Sequence, residues 1–296
     1  MKKTHSGKRK FWSHFVDALT VCASVCTLFS VVIGTFKDQS LAKRIIEEVS
    51  NFSDGIALAI IGAALALIVI LCCLYAKYQT KQKESIILEI ANNFKLTIKQ
   101  GNLFNENGII IIPVDQGLNT HVGDGIISPT SVHGKFITTY FDGRIDELEN
   151  KIQQSLCEQG IVGQDFPDSL ISANAKRKKY ELGTCVEILD GGNRYIWVVA
   201  TEFVKKNHVS LNRKDYSKVI HNLFSFIEPR IGDKGVYMPL IGAGNARLNC
   251  SPERILHYLI DYFGFSLSDK KILGGVNIII PSIKDIDLNR IEDIFE

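Results

Sequence analysis

Two long apolar runs, Val16 to Phe36 and Gly55 to Tyr75, constrain the fold of this chain more than any other feature. Each run is about twenty residues long, the length at which a helix crosses roughly 30 Å of hydrocarbon. The first run lacks a small-residue cleavage site and is followed by a second run, which argues against a cleaved signal peptide. The sequence therefore predicts an all-α transmembrane hairpin.

Cations at the ends of the two apolar runs predict the orientation of the hairpin in the membrane. They precede the first run and follow the second, at Lys2, Lys3, Lys8, Arg9 and Lys10 and at Lys77, Lys81 and Lys83. The connecting segment mixes both signs, so the bias places both termini in the cytoplasm, as in a multi-pass protein of an inner or plasma membrane. We expect a basic cytosolic terminus at 1–13, the hairpin with a short external loop at 14–83, and a cytosolic domain at 84–296.

The seven cysteines are scattered, without a Cys-x-x-Cys or Cys/His ligand spacing. In a cytosolic chain this pattern indicates free thiols and no metal site.

Residues from Glu84 onward have the composition of one globular domain. Extended segments, several of them runs of β-branched residues, are predicted at Phe94 to Lys99, Ile109 to Val114, Thr184 to Leu189, Tyr195 to Ala200, Val236 to Leu240 and Val276 to Pro281. Apolar stripes at helical spacing alternate with them, at 145–156, 219–227 and 255–263, and Ser85 to Ala91 is expected to continue the second membrane helix. This alternation predicts an α/β fold with helices on both faces of a sheet.

The segment Asp165 to Lys179 ends in the basic cluster Lys176, Arg177, Lys178 and Lys179. It is expected to be an exposed insertion, either a solvated loop or a contact for anionic headgroups.

A glycine loop after the strand at Val236 is the sharpest local signal for a ligand. Pro239-Leu-Ile-Gly-Ala-Gly244 runs into Asn245-Ala-Arg247, and a helix is predicted from Ser251. Backbone amides in such a loop can converge on a pyrophosphate, although a tight turn without ligand stays open. Walker and Rossmann fingerprints are both excluded by the residues that follow.

A second glycine loop, Asp115 to Gly134, follows the strand at Ile109 and includes Gly123-Asp124-Gly125. Two glycine loops that leave sheet strands can form the walls of a nucleotide-sized crevice. His121 and His133 lie in this loop without a neighbouring nucleophile in any motif. They are interpreted as ordinary loop or core histidines, and no catalytic residue is predicted.

In this order, Gly101-Asn102-Leu103, the Ile-rich strand, the glycine loop and Pro239 to Gly244 resemble the macro domain, a three-layer α/β/α module that binds ADP-ribose. The resemblance covers Phe94 to Ser282. The family's Gly-Asp-Ile motif reads Gly-Asn-Leu here, and Pro113-Val-Asp-Gln116 replaces its Asn-Ala-Ala-Asn signature. The last asparagine of that signature usually positions the distal ribose, so its loss argues against hydrolase activity.

The resemblance implies ligand contacts along both loops. Asn102 and Leu103 are expected at the adenine, and Asp115 at the distal ribose or its substituent. Gly123, Asp124, Gly125 and Ile126 are expected along the pyrophosphate and distal ribose, and backbone amides for the phosphates are expected from Ile241, Gly242, Ala243, Gly244, Asn245 and Ala246. Arg247 is a candidate partner of a phosphate, and Val114 and Leu240 are further expected ligand contacts. Other roles stay open: a turn cap for Asn102, a turn residue for Asp124 and a helix-start residue for Arg247.

With a membrane hairpin in front, the whole chain resembles the membrane-macro effectors of Thoeris-type anti-phage defence. The resemblance implies a ligand-binding effector in a prokaryotic membrane that senses an ADP-ribose derivative, a histidine conjugate in the best-known branch. It also implies a TIR-domain enzyme as functional partner, membrane disruption as the output and homo-oligomers, without cofactor or nucleic acid. The alternative is a membrane-anchored hydrolase of ADP-ribose conjugates.

Overall fold

The computed structural model describes residues 11–24, 54–79, 83–91, 94–170, 174–205, 208–244, 246, 248–266 and 272–295. These residues belong to two compact units, Met1–Gln82 and Lys83–Glu296. The N-terminal unit contains helix α1 (11–24) and helix α2 (Asp54–Gln79).

Within the residues that the structure describes, the transmembrane hairpin predicted from Val16 to Phe36 and Gly55 to Tyr75 is not found. Residues 25–36 of the first run lie outside the described part of the chain. On α2, the described side chains are those of residue 63 and residues 66–78. Across the residues that the structure describes, no helix has both the length and the apolar character of a membrane span.

The C-terminal unit is built on a mixed β-sheet. Its strands are β1 (Ser85–Ala91), β2 (Phe94–Gln100), β3 (Ile109–Asp115), β6 (Cys185–Asp190), β7 (Asn193–Lys205), β8 (His208–Ser210), β9 (Val236–Pro239) and β10 (Val276–Ile280), and β4 (Gln164–Asp165) pairs separately with β5 (Lys178–Lys179). The order is β1-β2-β10-β9-β3-β7-β6, with β8 paired to β7. Strands β2, β10, β9, β3 and β7 are parallel, and β1, β6 and β8 pair antiparallel with their neighbours.

Helices cover both faces of this sheet. They are α3 (Val132–Tyr140), α4 (Ile145–Glu158), α5 (Arg213–Ile227), α6 (Pro252–Ser266) and α7 (Leu288–Phe295), and short 3-10 turns lie at Leu103–Asn105, Asp168–Leu170 and Glu228–Arg230. Strand β3 explains the layering, because its side chains alternate. Ile109 and Ile111 pack with α5, α6 and α7, whereas Ile110 and Ile112 pack with α3 and α4.

The predicted α/β fold with helices on both faces is therefore confirmed, and each strand and helix predicted from Phe94 onward overlaps an observed one. Ser85–Ala91 is a correction, because it forms strand β1 and does not extend the preceding helix. Ile86 and Leu88 face the core while Ile87 is exposed, which is the alternation of a sheet edge. The prediction of a helix was wrong because the apolar residues of this segment alternate with a period of two, which is the period of a strand.

Candidate ligand-binding cavity

A cavity of about 660 Å³ lies at the carboxyl ends of β3 and β9, beside Ala200 and Thr201 of β7. Strands β3 and β9 pair at Ile109 and Ile110 and then separate, which opens a crevice beside Pro113. Open α/β sheets place ligands at such points. Predicted site residues that line this cavity are Val114, Asp115, Gly123, Gly125, Ile126, Leu240, Ile241, Gly242, Gly244 and Ala246.

A β-bulge shapes one wall. Val114 pairs with Val199 but Asp115 pairs with Thr201, so Ala200 is the extra residue on β7. Ala200 and Thr201 both line the cavity as a result. Beyond the bulge, the Gln116 amide donates to the Thr201 carbonyl at 2.9 Å, which fixes the start of the loop.

The carboxylate of Asp115 is buried and held by its own loop. Its Oδ1 accepts hydrogen bonds from the Gly117 amide at 2.8 Å and from Asn119 Nδ2 at 2.7 Å. Burial raises the pKa of Asp115, and the hydrogen bonds from Asn119 and Gly117 oppose that shift. A Cβ on Gly117 would lie 2.6 Å from Asn119 Nδ2, so a larger residue here would displace the Asn119 side chain from its bond to Asp115.

His133 lies in the first turn of α3 and lines the cavity, although its ring is buried edge-on against Trp197 at 4.7 Å between centroids. Burial lowers the pKa of His133 to about 3, so the ring is neutral at pH 7, and a hydrogen bond to the Asn119 backbone opposes the shift. Nδ1 is 3.9 Å from Asp115 Oδ2, too far for a hydrogen bond. In the described part of the chain Nε2 has no hydrogen-bond partner.

The start of α3 forms a second wall of the cavity. Ser131 caps the helix, accepting from the Gly134 amide at 3.0 Å and donating to the Ser128 carbonyl at 2.7 Å. Ser128 and Pro129 approach so closely that a Cβ on Gly134 would lie 2.2 Å from the Ser128 carbonyl oxygen. Residues 128–133 all line the cavity, so the positive end of a nine-residue helix borders it.

The turn at Gly123 presents its glycines to the cavity and its aspartate to solvent. The Ile126 amide donates to the Gly123 carbonyl at 2.9 Å, and Asp124 has a φ of +48° at the exposed tip. Asp124 Oδ2 is 2.9 Å from His121 Nε2, and this hydrogen bond is the main cause of the lowered pKa of Asp124. Asp124 is therefore not a lining residue here.

The loop after β9 forms the third wall. Gly242 has a φ of +92°, and the Tyr216 hydroxyl donates to the Ile241 carbonyl at 3.1 Å. A Cβ on Gly244 would meet no atom within 4 Å, so this glycine borders open space in the cavity. Ala243 does not line the cavity, and Asn245 and Arg247 lie outside the described residues.

The two residues predicted at the adenine lie apart from these walls. Asn102 caps the 3-10 turn Leu103–Asn105, accepting from the Phe104 amide at 3.2 Å, and Leu103 is buried in the core beneath α3 and α4. Neither lines the cavity, and their contact with adenine stays a prediction.

The sequence singled out neither Thr201, which lines the cavity, nor Asn119, which holds the lining residue Asp115. Asn119 is 1% exposed and Thr201 is buried at the bulge. The Asp-x-x-x-Asn spacing from Asp115 to Asn119 is the signal that could have pointed to a side-chain-stabilised turn. The apolar residues of β7 give no signal for the bulge at Ala200, so the position of Thr201 at the cavity could not be predicted from them.

The basic insertion is not simply exposed. Lys178 forms a surface ion pair with Asp165 at 2.8 Å, but Ala175 is buried and Lys176 is largely covered. Burial lowers the pKa of Lys176, and its ammonium donates to Glu149 Oε2 at 2.7 Å. A run of charged residues is solvated only where no partly buried carboxylate pairs with it, and the sequence analysis did not identify Glu149 as such a partner.

Residues 96–281 match the protein family described as "Thoeris protein ThsA, Macro domain". Thoeris protein ThsA of Bacillus amyloliquefaciens (strain Y2) is 25% identical over 184 residues, which are 59% of this chain and 58% of that protein. The chain therefore spans less than two thirds of the length of this relative.

Among solved structures, a variant Oceanobacillus iheyensis macrodomain with ADPR is similar with a TM-score of 0.48 and 13% identity, covering 71% of this chain and 98% of that chain. The same macrodomain with MES bound gives a TM-score of 0.48 and 13% identity, covering 71% and 96%. Similarity at this level carries no information about ligand or activity.

Proposed function

The chain belongs to the Thoeris ThsA macro-domain family, and from that premise we propose that its C-terminal unit binds an ADP-ribose-type nucleotide as the sensor of an anti-phage defence system. The observation that carries the proposal is the cavity between the two glycine loops. At about 660 Å³ it falls in the range of small-molecule sites.

The cavity lining combines two kinds of group. The N-terminus of α3 and the loop at Gly242 to Gly244 offer a helix dipole and an open backbone surface, which suit a pyrophosphate. Asp115 also lines the cavity, and an acidic oxygen suits the hydroxyl donors of a ribose. A ligand that carries both phosphates and a sugar matches this lining.

The same contacts favour binding over turnover. The Ser131 hydroxyl is engaged in the helix cap, where it accepts from the Gly134 amide and donates to the Ser128 carbonyl. A hydroxyl committed in this way is a poor nucleophile. We therefore propose a ligand-binding effector.

Calorimetry with ADP-ribose, combined with chromatography of the mixture, tests this proposal on the full chain. We expect saturable heat and unchanged ADP-ribose or histidine conjugate after prolonged incubation. Release of free ADP-ribose from the conjugate would establish the hydrolase instead. Absence of heat with every ADP-ribose compound, from a folded sample, would overturn the ligand assignment.

We further propose that the N-terminal unit delivers the response at a membrane and that a TIR-domain enzyme supplies the signal. Support comes from the two apolar runs and from exposed apolar side chains on α2, including Leu67, Ile70, Leu71 and Leu74. Cell fractionation of the full chain beside residues 83–296 tests the membrane role. Equal recovery of both in the soluble fraction would contradict it.

A further inference from the structure

A short strap, residues 174–180, runs alongside the loop 115–126 that forms one cavity wall. The Tyr180 amide donates to the Gln116 carbonyl at 2.8 Å, at the start of the loop. The Lys176 amide donates to Asn119 Oδ1 at 2.8 Å in the middle, and Asn174 Nδ2 donates to Asp124 Oδ2 at 3.3 Å near the end. The strap is therefore bonded to the loop at three separated points.

Asn119 joins the strap to the two buried titratable groups of the cavity. Its Nδ2 donates to Asp115 Oδ1 at 2.7 Å, and its Oδ1 accepts from the Lys176 amide. Its backbone also opposes the fall in the pKa of His133 that burial causes. One buried residue is therefore linked to both Asp115 and His133.

Helix α4 anchors the arrangement. Glu149, on α4, accepts from Lys176 Nζ at 2.7 Å and from the hydroxyl of Thr120, the residue after Asn119. Strap and loop are consequently tied to the same carboxylate on a core helix. A charge-assisted pair that is partly buried is stronger than an exposed one.

The loop needs such restraint because it contains a strained residue. Leu118 is fully buried and has a φ of +48°, a conformation that a leucine rarely adopts. Strained backbone of this kind persists only where surrounding contacts fix it, and it clusters at ligand sites.

We infer that Asn119 and Lys176 are positioning residues for the ligand cavity, which hold Asp115 and His133 in their binding geometry by tying the loop to the strap and to α4. Lys176 also acts by charge. The charged and titratable groups around Asp115 are His133 from α3, Lys176 from the strap and, behind Lys176, Glu149 from α4. Loss of the ammonium removes a nearby positive charge that lowers the pKa of Asp115.

The experiment compares Lys176→Met with Lys178→Met in the full chain. Lys178 is the matched control, since it lies in the same strap but is paired with Asp165 on the surface. Without ligand, we expect Lys176→Met to raise the pKa of Asp115 in a carboxyl NMR titration. We also expect hydrogen exchange at residues 116–126 to quicken by about tenfold, for one lost charge-assisted contact. Lys176→Arg should restore both, and strands β2 and β10 should keep their exchange rates.

Glu149→Gln is the second variant, because it removes the anchoring charge and keeps the hydrogen-bonding shape. Glu149→Gln should quicken hydrogen exchange at residues 116–126, and it can be measured even if Lys176→Met does not fold. An unchanged pKa of Asp115 and unchanged loop exchange in the folded variants would overturn the inference. Equal effects in Lys178→Met would also overturn it.

The ligand readout rests on the proposed function and is kept separate. With ADP-ribose as the probe, Lys176→Met should weaken affinity by about tenfold and shift the pH midpoint of binding upward, whereas Lys178→Met should change neither. If the native chain does not bind ADP-ribose, the proposed function fails, but the titration and exchange results still decide the inference. If the native chain binds and Lys176→Met binds equally well at every pH, the inference fails alone.

Discussion

At the scale of single residues, burial acts in opposite directions on the two titratable groups at the cavity floor. Burial raises the pKa of Asp115 and lowers that of His133, because in each case it penalises the charged form. The sequence analysis placed both residues in one glycine loop, Asp115 to Gly134. Their burial could not be predicted there, since it depends on Trp197 and on the strap, which are distant along the chain.

His133 should make stability depend on pH. Its pKa falls from the ordinary 6.5 to about 3 in the folded chain, so between these values the unfolded chain binds a proton that the folded chain does not. The free energy of unfolding therefore falls as pH is lowered through this window, by up to ~1.4 kcal/mol per pH unit. His133→Asn should flatten this fall between pH 6.5 and 4.5 in urea titrations, whereas His121→Asn, on the exposed part of the loop, should not.

Gly244 and Gly242 have different roles that the sequence did not separate. The sequence assigned the glycines of this loop both positive φ and close ligand approach, yet positive φ belongs to Gly242, at +92°, and open space belongs to Gly244. Gly244→Val should weaken ADP-ribose binding by at least about tenfold by filling that space, with an unchanged midpoint of thermal unfolding. Native affinity in the folded variant would place the phosphates elsewhere.

At the scale of elements, the hydrophobic pattern predicted most strands of the sheet, but it did not predict the structure of the segments that follow the strand ends. Isoleucines 109 to 112 predict a strand covered on both faces, and they form one. Helix α3 was missed because it begins inside a glycine loop, where Ser131 caps it and Gly134 occupies its first turn. The wall that this helix gives to the cavity depends on contact with Ser128, which no periodicity encodes.

Two helical glycines should respond oppositely to the same change. A Cβ at Gly134 would lie 2.2 Å from the Ser128 carbonyl oxygen, whereas a Cβ at Gly264 in α6 would lie 3.7 Å from Ile90, an ordinary contact. Gly134→Ala should lower the free energy of unfolding by about 1–3 kcal/mol through displaced backbone. Gly264→Ala should raise it by up to about 1 kcal/mol through helix propensity. Chemical denaturation measures both, and equal signs would contradict this account of the α3 start.

At the scale of the whole molecule, the cavity is assembled from segments far apart in sequence. The loops after β3 and β9 meet because their strands are neighbours in the sheet, an arrangement set by the strand order and not by either motif. The sequence predicted both loops as walls of one crevice, and the structure places Gly123, Gly125, Gly242 and Gly244 around one cavity. It did not predict the strap, because a lysine in a basic cluster is expected at the surface. The ion pair between Lys176 and Glu149, which are distant in sequence, is visible only in the folded structure.

Calorimetric titration of the full chain with ADP-ribose, in parallel with the Gly244→Val variant, tests the central claim most directly. The account predicts saturable one-site binding to the native chain and at least about tenfold weaker binding to the variant, with both proteins folded by circular dichroism. Absence of binding to the native chain, or equal affinity of the two proteins, would contradict the assignment of this cavity as the nucleotide site.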